Sequence, residues 1–223
     1  MRPGHQEPHQ EQRVAPGNRS VSRGVGLRVQ PAIAILLLAA VTLAPDVRAA
    51  DLVHTPEQAY RLLGRSHTAF EAGAGSLTEA DEAFLSALFV LADQVVVLNA
   101  NVARWFASDG RDGLHFEDYH ARIDELRASI RALDAPAKAI PARDLVSGAL
   151  LLQRAFLHDW YRATQAGRPF ESQLTSEYGY HAGLHRSHRM LLQALAELRA
   201  IHPALDERRQ RAFLDHVRGM DFQ

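Results

Sequence analysis

No cysteine occurs anywhere in the 223 residues. Disulfides, thiolate nucleophiles, cysteine zinc ligands and covalent haem attachment are therefore excluded, as is a lipid anchor on a cysteine after an export signal. Lysine is almost missing as well: of 25 cations only Lys138 is a lysine, the rest being arginine. Neither sign of charge dominates, with a formal net charge of −1 over the whole chain. From Asp51 onward 19 basic residues face 23 acidic ones, and no basic patch interleaves with aromatics. That balance gives no footing for nucleic-acid binding. No stretch alternates apolar and polar residues as a half-buried strand does. The G-x-S-x-G elbow, the glycine-rich phosphate loop and the H-E-x-x-H zinc signature are all missing, which leaves a hydrolase without support.

The longest apolar run, Pro31 to Ala44, has 14 residues, short of the roughly 20 that span a bilayer as a helix. It follows a segment rich in Arg, Gln, Pro and Gly and precedes Val47 and Ala49, which fit the small-residue spacing of a cleavage site. Residues 1–49 are thus expected to be a basic leader and secretory signal peptide. Residues 50–223 are expected to form a single helical domain, in the periplasm or outside the cell, with no stable membrane span after cleavage.

Past the leader, apolar residues recur at helical spacing. Thr55-Pro56-Glu57-Gln58 is a capping-box start, predicting a helix that runs to Glu71 with Tyr60, Leu63, His67 and Phe70 inward. Thr78 caps a second helix to about Ser108, apolar on so much of its circumference that it should have neighbours on more than one side. A third runs from Phe116 to Leu133, and a fourth from about Ala142 to Ala166 after a linker holding Pro136 and Pro141. A fifth covers the stretch from about Glu177 to Ile201, and Asp206 caps a short terminal helix. Ser147-Gly148-Ala149 offers small residues for a close helix crossing. The fold class that follows is all-α: an antiparallel four-helix-bundle-like domain with short flanking helices at its N- and C-terminal ends.

Ten of the 12 histidines lie beyond the leader. At ~100° per residue, His185, His188 and Glu177 fall within about 40° of His181, on the side that also carries Leu184, Leu192 and Leu195. Imidazoles and a carboxylate converging inside a bundle suit a transition metal. The candidate metal ligands are therefore His181, His185, His188 and Glu177, with His67 joining from the first helix and zinc, copper, nickel or iron as the ion. His54, His115 or His120 could complete such a site, while His158, His202 and His216 have ordinary explanations in solvation or proximity to helix C-termini. Paired E-x-x-H motifs of the di-iron kind are missing.

Three functions follow in order. The first is an exported helical binding protein with a histidine-based transition-metal site, capturing the ion by neutral imidazoles and losing it below about pH 6. The second is a metal-free helical interaction module of the cell envelope, presenting its arginine-rich faces or Tyr178 and Tyr180 to a protein partner. The third is a metal-dependent enzyme, which needs an open coordination position in a cleft.

Overall fold

Six α-helices account for most of the computed structural model, which describes residues 52–71, 77–108, 114–167 and 182–222. They are α1 (Pro56–Leu62), α2 (Glu79–Ala107), α3 (Phe116–Ala132), α4 (Ile140–Gln165), α5 (Ala182–Ile201) and α6 (Glu207–Met220). The leader expected over residues 1–49 lies outside the described residues, as do Glu177, Tyr178, Tyr180 and His181. Helices α2 to α5 form a core bundle in which each packs on the next, α1 flanks α2, and α6 packs on both α2 and α5. The all-helical, four-helix-bundle-like architecture expected from the periodicity is the one observed.

Capping sets several boundaries. Thr55 accepts from the Gln58 N–H, Thr78 from the Asp81 N–H and Asp206 from the Arg209 N–H, each satisfying an N-terminal donor that the helix cannot. Helix α4 begins at Ile140, two residues before the expected start, because a 3₁₀ turn over Ala137–Ala139 leads into it. Pro141 sits in its first turn, where a missing N–H costs nothing.

The first helix is the main correction. It stops at Leu62, not Glu71. Gly64 adopts a left-handed conformation, φ +64°. Its N–H then bonds the Arg61 carbonyl and the Arg65 N–H bonds the Tyr60 carbonyl at 2.8 Å. These two bonds are the Schellman termination, which glycine enters without steric penalty. Residues 65–71 continue without regular secondary structure, yet His67 and Phe70 still turn partly inward.

Helix α2 is the centre of the core. Phe84, Leu85, Leu88, Phe89, Ala92, Val95, Val96, Leu98 and Val102 are all buried, and α1, α3 and α6 pack around it. By length and composition it could cross a membrane, with a mean hydropathy of 1.9 over its most apolar window. Its buried polar residues serve the surrounding protein instead. Asn101 accepts from the Val53 N–H and donates to the Val53 and Val97 carbonyls. Asn99 on α2 and Gln153 on α4 both donate to the Met220 carbonyl, satisfying the end of α6.

On α5 the buried face is centred on Leu184, Ser187, Leu191, Ala194 and Leu198, while Leu192 is 44% exposed. The histidine side of this helix is therefore the shoulder of the apolar face, and His185 and His188 are only partly buried. Two glycines mark close approaches. A Cβ on Gly148 of α4 would run into the terminal methyl of Met190 on α5, and one on Gly219 of α6 would lie 2.6 Å from the ring of Tyr60 on α1. Met190 can swing its methyl aside, whereas the Tyr60 ring is fully buried and fixed.

The two glycines should respond differently to a methyl group. Gly148→Ala should be neutral or stabilising, because alanine favours a helix by about 1 kcal/mol over glycine. Gly219→Ala should cost about 1–3 kcal/mol through overpacking. Urea unfolding of both variants checks this, and equal effects would contradict the packing described.

Candidate metal site

Three chain-distant segments meet beside Phe89. Helix α2 contributes Asp93, one turn beyond Phe89; α6 contributes His216; the irregular segment after α1 contributes His67. Below them Phe70, Phe89 and Phe213 pack ring against ring with centroids 5.0–6.0 Å apart, and Phe89 also lies 4.5 Å from the His216 ring. This apolar floor fixes both the segment and α6 against α2. Thr68 donates to Asp215 at 2.7 Å, and Arg208 pairs with Glu71 at 2.6 Å, so the segment is tied to α6 on either side of Phe70. The Tyr60 ring stacks on His67 with centroids 4.5 Å apart, occupying the space that Gly219 leaves.

Asp93 Oδ1 stands 3.4 Å from His67 Nε2 and 3.3 Å from His216 Nε2. All three ligand atoms lie within 4.8 Å of one another, forming a His/His/Asp cluster able in principle to hold a metal ion. The His216 side chain is 1% exposed, that of His67 16% and that of Asp93 20%. His216 Nδ1 lies 2.7 Å from the Ala212 carbonyl oxygen. A carbonyl only accepts, so Nδ1 carries hydrogen, and the lone pair of the neutral ring is on Nε2, aimed toward Asp93. The same arrangement, one ring nitrogen held by a carbonyl and the other presented, orients histidines that ligate metals.

Neither His67 Nε2 nor Asp93 Oδ1 has a hydrogen-bond partner. A buried acceptor left so costs about 1–3 kcal/mol, more if charged. Two occupants could relieve it. A proton in each gap would draw nitrogen and oxygen to ~2.7–2.9 Å, the length of a charge-assisted bond. Ligand atoms ~2.0–2.1 Å from a tetrahedral zinc are instead ~3.3 Å apart. The observed 3.3 and 3.4 Å leave room for a cation, and the third pair, His67 Nε2 and His216 Nε2, lies within 4.8 Å. Tyr60 turns its phenol toward the same carboxylate: burial above all, then the charge of Asp93, hydrogen bonding to Asp93 and the charge of Asp215 hold it protonated far above the ordinary range.

The other histidines have separate surroundings. His188 Nδ1 pairs with Asp221 Oδ2 at 2.5 Å, tying α5 to the chain end. His185 lies on the shoulder of α5, His54 is exposed, and His115 caps α3 by its backbone alone. His120 on α3 and the exposed His158 on α4 stand edge to face, 5.3 Å apart. Of the ligands expected from sequence, His67 enters the cluster; Glu177 and His181 are outside the described residues. Asp93 and His216 were not among those expected. The signal for Asp93 was present: it is the only acidic residue of α2 after Glu82, set in a run of Leu and Val.

His202 is buried at the end of α5, with Nε2 3.9 Å from Asp81 Oδ1. Asp81 also accepts from Thr78 at 2.8 Å and pairs at 3.0 Å with Lys138. Burial pushes the Asp81 carboxyl up, but Lys138 and Thr78 outweigh it and hold the group below its ordinary value. Burial lowers the proton affinity of His202, Asp81 opposes this, and Lys138 adds to it, leaving the ring below its ordinary value.

No family model, no curated protein and no solved structure matches the chain.

The His202 shift fixes a sign for stability against pH. The unfolded chain protonates this histidine near its ordinary value of about 6.5, while the folded protein does so only at lower pH. In that window the unfolded state binds more protons, so stability falls on acidification and levels off below the folded value. In chelator, His202→Gln should show a shallower loss of stability than the native protein between about pH 7 and pH 5. Parallel curves from chemical denaturation would show that His202 does not contribute.

Proposed function

We propose that this protein is an exported helical binding protein whose site for a divalent transition metal is formed by His67, Asp93 and His216. The observation that carries the reading is the pair of imidazole nitrogens facing one carboxylate oxygen at 3.3 and 3.4 Å, with His67 Nε2 and Asp93 Oδ1 lacking any hydrogen bond. Two imidazoles and one carboxylate suit zinc first, and iron, nickel or copper after it. A fourth position is left for water or another ligand, and the partial exposure of His67 and Asp93 gives the ion a way in. Export to the periplasm or cell exterior belongs to the same reading, supported by the basic leader and the apolar run at Pro31–Ala44. In that compartment a chain without cysteine gains no disulfide, and a metal joining His67, Asp93 and His216 would do similar work.

Binding only to the folded state stabilises it, by about 2.7 kcal/mol when free metal is 100-fold above Kd. The untagged protein, purified without chelator, should carry near-stoichiometric metal by elemental analysis and melt higher with zinc than with chelator. Asp93→Asn, close to the native shape, and His67→Ala should each lose the co-purifying metal and most of the zinc-dependent rise. His185→Ala and His188→Ala should keep both. A metal-free native protein that takes up none on titration would overturn the proposal. Loss on His181→Ala but not on Asp93→Asn would move the site to the histidine stretch before α5.

A further inference from the structure

A second pair of histidines stands between α3 and α4, away from the three segments that form the first cluster. An open pocket of about 450 Å³ there is lined by Glu117, His120, Arg154, Ala155, His158 and Asp159. Glu117 and His120 are three residues apart on α3, so they share a face, and His158 meets His120 from the facing helix. The two rings are nearly perpendicular, 84°, with centroids 5.3 Å apart. Rings bound through nitrogen to one tetrahedral zinc have centroids ~5 Å apart. The His67 and His216 rings, at 5.6 Å and 67°, stand in nearly the same relation.

His120 Nε2 is buried without a hydrogen-bond partner. Burial first, then Arg154 and His158, lower the proton affinity of the ring against the opposing pull of Asp124 and Glu117. Arg154 is drawn aside by Asp124 at 2.9 Å, a carboxylate it shares with Arg127 at 3.1 Å. Glu117, which accepts from the Tyr161 hydroxyl at 3.4 Å, adds a carboxylate to the two imidazoles, a donor set that borderline cations take. From this geometry we infer that Glu117, His120 and His158 form a second, weaker site for a borderline divalent cation such as zinc. Its ligand atoms are not gathered as closely as those of His67, Asp93 and His216. Closing them on an ion requires the exposed Glu117 and His158 to give up rotamer freedom, which is why the site is the weaker of the two.

The test is calorimetric titration of zinc chloride into the untagged protein, native and variant, with helix content checked by circular dichroism. The native chain should show two classes of binding. Asp93→Asn should keep the weaker class, and adding His158→Ala should abolish it. In the native background His158→Ala and His120→Gln should weaken that class by at least the roughly 10–100-fold that follows loss of even an outer partner. His158 is exposed, so its removal leaves the fold intact. Titrations unchanged by His158→Ala and His120→Gln, or no zinc uptake by Asp93→Asn, would overturn this second site. A single class lost in His158→Ala but kept in Asp93→Asn would instead uphold it and remove the His67–Asp93–His216 site.

Discussion

One carboxylate in the middle of the most apolar helix is the constraint around which the rest is arranged. Asp93 interrupts an apolar run on α2 and is itself mostly buried, where an uncompensated charge is expensive. What surrounds it comes from chain positions far apart, His67 before α2 and His216 in the last helix, each turning a ring nitrogen toward the same oxygen. The remaining side chains there act by position. Phe70, Phe89 and Phe213 set the floor, Tyr60 covers His67, Thr68 is held by Asp215, and Ala212 fixes the tautomer of His216.

The local backbone makes that convergence reachable. Gly64 ends α1 after two turns, and the chain leaves it as an irregular strap across α2 and α6. A helix continued to Glu71 would have carried His67 along another line. Gly219 gives Tyr60 the room to lie against the strap. A cation bound by the three ligands would cross-link the strap, the central helix and the C-terminal helix, the task that disulfides perform in many secreted proteins. At the opposite end of the buried-charge scale, Asp81 is paired by Lys138 and capped by Thr78, so its burial needs no ion.

Much of the fold was legible because it rests on local rules. Thr55, Thr78 and Asp206 cap the helices they were expected to cap, and the stripes of α3 and α6 are buried at Tyr119, Ile123, Ile130, Phe213 and Val217. The end of α1 was misread because the apolar spacing of Tyr60, Leu63, His67 and Phe70 persists through the irregular segment, overriding the signal of Gly64. The cluster was legible only in His67. Its other members depend on which helices pack together, a long-range matter: histidine spacing on one helix points to α5, whereas His216 is the one histidine of α6 and Asp93 stands well apart from the acidic first turn of α2. A solitary carboxylate within an apolar helix was the better clue.

The central claim is that Asp93, His67 and His216 share one cation. Crystals of the zinc-loaded protein, measured on both sides of the zinc absorption edge, test it most directly. The account predicts an anomalous difference peak ~2.0–2.1 Å from His67 Nε2, His216 Nε2 and an Asp93 oxygen. Zinc found only elsewhere, with the two imidazoles hydrogen-bonded to Asp93 at ordinary lengths, would contradict it.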